Sequence, residues 1–293
     1  MTLTAFEAVE TDGVLAGPER RPVNLSRNAA GSIHDDATAQ KLGFRGGTVA
    51  GNIHCEQFPP LIIRRLGPEW RRRGGLSLHF MNATTDGEPV RAFIGPETAG
   101  PGGLRIARIW METPEGVRVM EGDAWVGGRN PESELAKRMA ASRPAADLRI
   151  LASRKVGDTC KDTPARIDGA VALRRLEGVT EPLPEYRDPT EFGAKVAAPA
   201  VAIDVLRAVE QPLFKSAGDF VGMFGAIELE FLDGPVFLDT DYLADGEIRA
   251  FSESPKTEVT WYESVIRPAA GGPPTARMLM MSRVLKASSP LWA

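Results

Sequence analysis

Between Asn28 and His54 the sequence gathers the residue types that move protons: two of its three histidines, His34 and His54, and the adjacent carboxylates Asp35 and Asp36. An unperturbed imidazole titrates near neutrality, so His34 can take a proton from water or return one to carbon. Asp35 and Asp36 could orient that imidazole, or they could complement the first turn of a short helix beginning near Ala37. His79 alternates with Leu78 and Phe80, the pattern of a strand, and is expected on a sheet face without a chemical role. The histidines show no metal-ligand spacing, and Cys55 and Cys160 form no CxxC or Cys/His cluster. No metal and no cofactor are expected, and both thiols are read as reduced.

These residues need a scaffold to position them. A Gly-rich turn, GFRGGTVAG, runs into GNIHCEQFPPLIIRRL, where Ile53, Phe58, Leu61, Ile62 and Leu66 form an apolar side. The spacing predicts a helix from Gly51, kinked at Pro59 and Pro60, with His54 on its first turn facing the same cavity as His34, the solvent or the core. The order of signals then repeats. EFGAKVAAPA leads into AVAIDVLRAV, where Val201, Val205, Leu206 and Val209 fall at helical spacing behind Pro199. Extended segments follow each helix, and the alternation of Ile227, Leu229 and Phe231 with Glu228 and Glu230 predicts half-buried antiparallel strands.

At 293 residues the chain exceeds a single domain of roughly 100–150 residues, and the polar, alanine-rich stretch bounded by Pro131 and Pro144 reads as a linker with a short helix. The expected division is residues 1–130, a linker at 131–149, and residues 150–293. Each half is an α+β unit with its helix on one face of an antiparallel sheet. The net charge of −4 and pI near 5.6 argue against a nucleic-acid partner, which would need a concentrated basic face. The start, MTLTAFEAVETDGV, has no basic region followed by an apolar run, and about 18 consecutive apolar residues occur nowhere, so a cytoplasmic protein with no membrane association is expected.

A sheet wrapped around one long central helix is the hotdog fold, and the segment from His34 to Gly51 resembles the MaoC-like (R)-specific enoyl-CoA hydratase family. The matching residues are His34 and Asp36 in GSIHDD, Phe44, and Gly51 seven residues beyond it at the foot of the helix. The LSLHFMNATTDGEPVRAFIG segment, with its Gly87–Glu88 turn, resembles the strand pair that follows the family's helix. The resemblance covers most of the first half, and the second half only as architecture. It implies a double hotdog in which water is added to, or removed from, an α,β-unsaturated thioester. His34 would be the acid/base, Asp36 a replacement carboxylate, and the Gly51 N–H the donor to the enolate-like oxygen. Glycine there would let the substrate approach the backbone. Asn28, Asp35, Asn52 and His54 are expected around the substrate.

The sequence also departs from that pattern. Ala29 stands where the family carries its catalytic aspartate, five residues before the histidine, and Gly31 and Ser32 replace its Asn-Pro pair. The corresponding stretch of the second half, PLPEYRDPTEFG, offers Tyr186 and Asp188 but no histidine. Thioester hydrolysis, isomerisation or another reaction on the same scaffold therefore stays open, as does a non-catalytic acyl-CoA-binding protein. Arg64, Arg65, Arg71, Arg72 and Arg73 could attract coenzyme A phosphates or form a solvated loop. Phe220, Met223, Phe224, Met278, Met280 and Met281 suit either an acyl pocket or core packing. The expected partner is a small acyl thioester. Hotdog halves pair into a continuous sheet, which a duplicated chain can do internally, and a homodimer through further faces is compatible with that.

Overall fold

A computed structural model of the chain describes residues 6–178, 181, 183–215 and 220–292. The first half contains β1 (Val9–Thr11), β2 (Val14–Ala16), α1 (Asp36–Lys41), α2 (Gly51–His54), α3 (Pro59–Leu66), α4 (Trp70–Arg73), β3 (Gly74–Phe80), β4 (Arg91–Ala99), β5 (Arg105–Glu112) and β6 (Arg118–Val126). After α5 (Glu134–Ala141) come β7 (Thr159–Ala165), α6 (Gly169–Arg175), α7 (Pro199–Leu206), α8 (Glu210–Phe214), β8 (Gly222–Phe231), β9 (Tyr242–Glu253), β10 (Thr257–Pro268) and β11 (Ala276–Leu285).

The strands make one antiparallel sheet in the order β1-β2-β4-β5-β6-β3-β8-β11-β10-β9-β7. Read outward from the middle, each half runs in the same sense: the strand after the helix, then the last, the third and the second, then the strands before the helix, the pair β2 and β1 in the first half and β7 alone in the second. The duplication is thus one of topology. Its seam is β3 against β8, from Gly75 opposite Glu230 to His79 opposite Ala226.

The helix of the first half is segmented rather than continuous. Pro59 and Pro60 have no N–H to offer the carbonyls of Cys55 and Glu56. The chain tightens into a 3-10 turn over Cys55–Gln57, and Phe58 N–H reaches Cys55 O at 3.3 Å instead. In the second half, Pro212 withholds a donor from the Ala208 carbonyl, and a 3-10 turn at Arg207–Val209 separates α7 from α8. Val201, Val205, Leu206 and Val209 are all buried as their spacing requires, and so are Ala202 and Ile203, because α7 lies between the sheet and α2. Phe58, Leu61, Ile62, Leu76, Ile227 and Leu229 belong to one apolar core shared by both halves. Glu56, fully buried, accepts the backbone N–H of Ala200 in the first turn of α7 and so ties the two helical runs together.

The alternation in β8 has a different outcome from the one expected. Glu228 and Glu230 do not face water: the segment entering α5 crosses over them, Asn130 N–H bonds Glu230 Oε1 at 3.0 Å, and Ser133 Oγ bonds Glu228. Arg277 supplies the counter-charge, 2.6 Å from Glu228 Oε1. The polar face is covered by the segment entering α5, so its charges are paired instead of solvated.

Candidate active site

The site is built on the loop before α2. Asp35 caps α1, its Oδ2 accepting from Thr38 N at 3.0 Å and Thr38 Oγ1 at 2.6 Å. Asp36 Oδ1 accepts the Gly47 N–H at 2.7 Å, closing the loop on its Gly-rich end. Gly47 has to be glycine: a Cβ there would stand 2.3 Å from the His34 carbonyl oxygen. Thr48 N–H, next in the chain, bonds Ile33 O at 2.9 Å. Asn24 holds the same turn from below, donating from Nδ2 to His34 O at 2.8 Å, and is itself fixed by Asp86, which accepts the Asn24 N–H at 2.7 Å.

This clamp determines the state of the His34 ring. Nδ1 lies 2.7 Å from the Thr48 carbonyl oxygen. A carbonyl only accepts, so Nδ1 carries a proton, and in its neutral form the ring has its lone pair on Nε2. Next to Thr48 the chain passes through Val49 and Ala50 into Gly51, the first residue of α2, whose N–H has no acceptor within the helix. A Cβ on Gly51 would come within 2.8 Å of the Phe80 ring.

His34, Thr48, Gly51, Asn52, His54 and Phe80 line one cavity of about 670 Å³. His54 is buried on the first turn of α2, with Nε2 2.8 Å from Thr84 Oγ1. Burial pushes its pKa down to about 4, only partly offset by Glu88, and it is neutral at pH 7.

Of the residues singled out in the sequence, His34, Gly51, Asn52 and His54 therefore converge, whereas Asn28, Asp35 and Asp36 do not border the cavity. Asn28 is exposed. Asp35 is occupied as a helix cap and Asp36 accepts the Gly47 N–H. Ala29 is exposed too. His79 lies outside the cavity lining, its Nε2 3.2 Å from Arg283 Nη2, and burial with Arg138 and Arg283 nearby brings its pKa to about 4. Among the arginines of the helix-to-strand junction, Arg71 pairs with Glu185, Arg72 lies over the Phe192 ring at 5.0 Å, and Arg65 meets Glu10 at 3.0 Å. All three are engaged with other side chains of the protein. Phe220, Met223 and Phe224 line the cavity, while Met278 and Met280 are core residues and Met281 packs in a second cluster with Trp261 and Leu135.

The second half also contributes a polar wall, of residues that the sequence analysis did not single out. Tyr262 OH donates to Glu210 Oε1 at 2.5 Å, and Arg207 grips Glu210 through Nε at 2.8 Å and Nη2 at 2.7 Å. Arg207 Nη1 stands 3.5 Å from Asp204 Oδ1, and Arg175 Nη1 2.5 Å from Asp204 Oδ2. The Arg207 guanidinium also lies over the Phe224 ring, 4.7 Å from its centroid. Burial raises the Asp204 pKa against the pull of Arg175 and Arg207. Among the described residues no group of three or more His, Cys, Asp or Glu side chains could hold a metal ion, and no helix is long and apolar enough to cross a membrane.

No family model matches the sequence, and no similar curated protein is found. Solved structures do match over nearly the whole length. A protein from Chloroflexus aurantiacus described as a MaoC domain dehydratase superposes with a TM-score of 0.64 at 12% identity, covering 97% of this chain and 95% of its own. A conserved Mycobacterium tuberculosis protein described as having a double hotdog fold gives 0.60 at 14% identity, with 96% of each chain covered. The dehydratase domain of PpsC from Mycobacterium tuberculosis, solved in complex with C12:1-CoA, gives 0.51 at 13% identity, covering 97% and 98%. The chain has the double hotdog fold.

Proposed function

We propose that the protein is a hydratase or dehydratase acting on an acyl thioester, with His34 as its acid/base and the Gly51 N–H as oxyanion donor. The observation that carries this reading is the Thr48 carbonyl on His34 Nδ1, which leaves the lone pair on Nε2 of a histidine bordering the same cavity as the start of α2. The acyl-CoA complex of the PpsC dehydratase domain supports a thioester as substrate.

In the hydration direction, Nε2 takes a proton from water while the oxygen adds to C3 of an enoyl thioester. The electron pair of the double bond moves through C2 to the thioester oxygen, where the Gly51 N–H meets it. The imidazolium, held in place by Thr48, then delivers its proton to C2. Dehydration is the reverse: Nε2 removes the C2 proton and the C3 hydroxyl leaves as water with the proton returned to it. One histidine serves both transfers, which is how the reaction proceeds without the carboxylate that Ala29 lacks. His54, neutral and bonded to Thr84, presents no competing charge.

The test is a panel of enoyl-CoA esters followed both by loss of enoyl absorbance and by release of free thiol. Loss of absorbance without thiol release is the expected result. Thiol release would make the protein a thioesterase on this scaffold. Tight binding with neither signal, unaffected by His34→Ala, would make it a non-catalytic acyl-CoA-binding protein.

A further inference from the structure

Part of the cavity wall that the second half builds is charged, where a simple alkyl chain would call for an apolar surface. Arg175, Asp204, Arg207 and Glu210 line it and form one connected network ending at Tyr262. Arg207 is held by Glu210, Asp204 and the Phe224 ring together, so a ligand meets a guanidinium that is already ordered. The Arg207 and Glu210 side chains keep 31% and 29% of their surface accessible, so the pair is open to the cavity and not sealed in the core. Thr260, in the same lining, is buried and its hydroxyl has no partner among the described residues.

Within this network two guanidinium groups face two carboxylates; Arg283 and Lys215 line the cavity outside it, and a ligand group at Arg207 meets Glu210 and Asp204 first. An alkyl end placed against Arg207 and Glu210 would strip their water and return no hydrogen bond. A carboxylate end would find its attraction to Arg207 opposed by Asp204 and Glu210. A hydroxyl can accept from a guanidinium and donate to Glu210, and an oxo group can accept from Arg207, neither adding charge.

Resting on the reading of the site as a thioester hydratase, we infer that the acyl group of the substrate carries an uncharged oxygen, hydroxyl or oxo, where it reaches the C-terminal wall, and that Arg207 and Glu210 recognise it. The substrate class is then an oxygenated acyl thioester rather than a plain fatty acyl one.

Two sets of CoA thioesters of matched length test this, each ending in a methyl, a hydroxyl, an oxo group or a carboxylate. The enoyl set is assayed for kcat/KM, and the saturated, unreactive set for Kd by calorimetry. The expected result is a preference of about tenfold or more for the hydroxyl or oxo end over both methyl and carboxylate, the scale of one hydrogen bond to a charged group. Arg207→Met and the conservative Glu210→Gln should each reduce that ratio to about threefold or less, and the wild-type ratio stands as a measurement even if Arg207→Met does not fold. A wild-type preference for methyl or for carboxylate overturns the inference, as does an absence of binding by all saturated esters. If no enoyl ester is turned over but the saturated oxygenated esters still bind at least tenfold tighter, the hydratase reading fails and the inference about the acyl group stands.

Discussion

Glu56 offers a sharp physical test of how the two halves are joined. Its carboxyl is fully buried between the first helical run and α7, and burial pushes its pKa from 4.5 to about 8, against the opposing hydrogen bond from Ala200 N–H. At pH 7 it is therefore protonated in the folded protein and ionised in the unfolded chain. Between pH 4.5 and about 8 the folded state binds the extra proton, so this group's contribution to stability is full at the acid end and falls as pH rises. At ~1.4 kcal/mol per pH unit, the loss across that window approaches about 5 kcal/mol. Glu56→Gln keeps an oxygen to accept the Ala200 N–H and removes the titration. Urea unfolding of both proteins at steps from pH 5 to pH 8.5 should show the variant gaining on the wild type by several kcal/mol as pH rises. A constant difference between the two across that range would refute the burial argument.

Other consequences follow from the same contacts. His54, with its pKa brought from 6.5 to about 4 by burial, has the opposite sign: the unfolded chain binds the proton first, so stability is lost as pH falls from about 6.5 to 4, by roughly 3 kcal/mol, and His54→Gln should flatten that limb of the pH–stability curve. Gly47→Ala puts a Cβ 2.3 Å from the His34 carbonyl oxygen, a clash with backbone that should cost at least about 2 kcal/mol in a denaturant titration and lower turnover along with it.

The sequence carried the fold better than the site. Periodicity at Leu61, Ile62, Val201 and Val205 reported a face that really is buried, and Pro59 with Pro60 marked where the helix breaks, because both signals are local. Glu228 and Glu230 misled for a physical reason: alternation tells which residues share a face, and whether a distant segment such as Asn130–Ser133 covers that face is a tertiary fact. The same limit governed the cavity. His34 and Gly51, singled out through the family resemblance, both border the cavity, but the partner of the imidazole is a backbone carbonyl, Thr48 O, which no side-chain pattern announces. Asp36 had the right chemistry and position in sequence, yet the turn of α1 gives its carboxylate to Gly47. Arg207, Glu210 and Tyr262 reach the cavity only because the sheet brings the second half against the first, so no spacing within either half could reveal them.

In the proposed reaction one imidazole, its Nδ1 proton held by Thr48, moves both protons of a hydration. The most direct test of this is the kcat of the best enoyl thioester with the wild-type protein and with His34→Ala, the fold of each verified by its thermal transition. A fall of about a hundredfold or more is predicted, the usual contribution of a positioned acid/base. Turnover of the alanine variant within a few-fold of wild type would contradict the account.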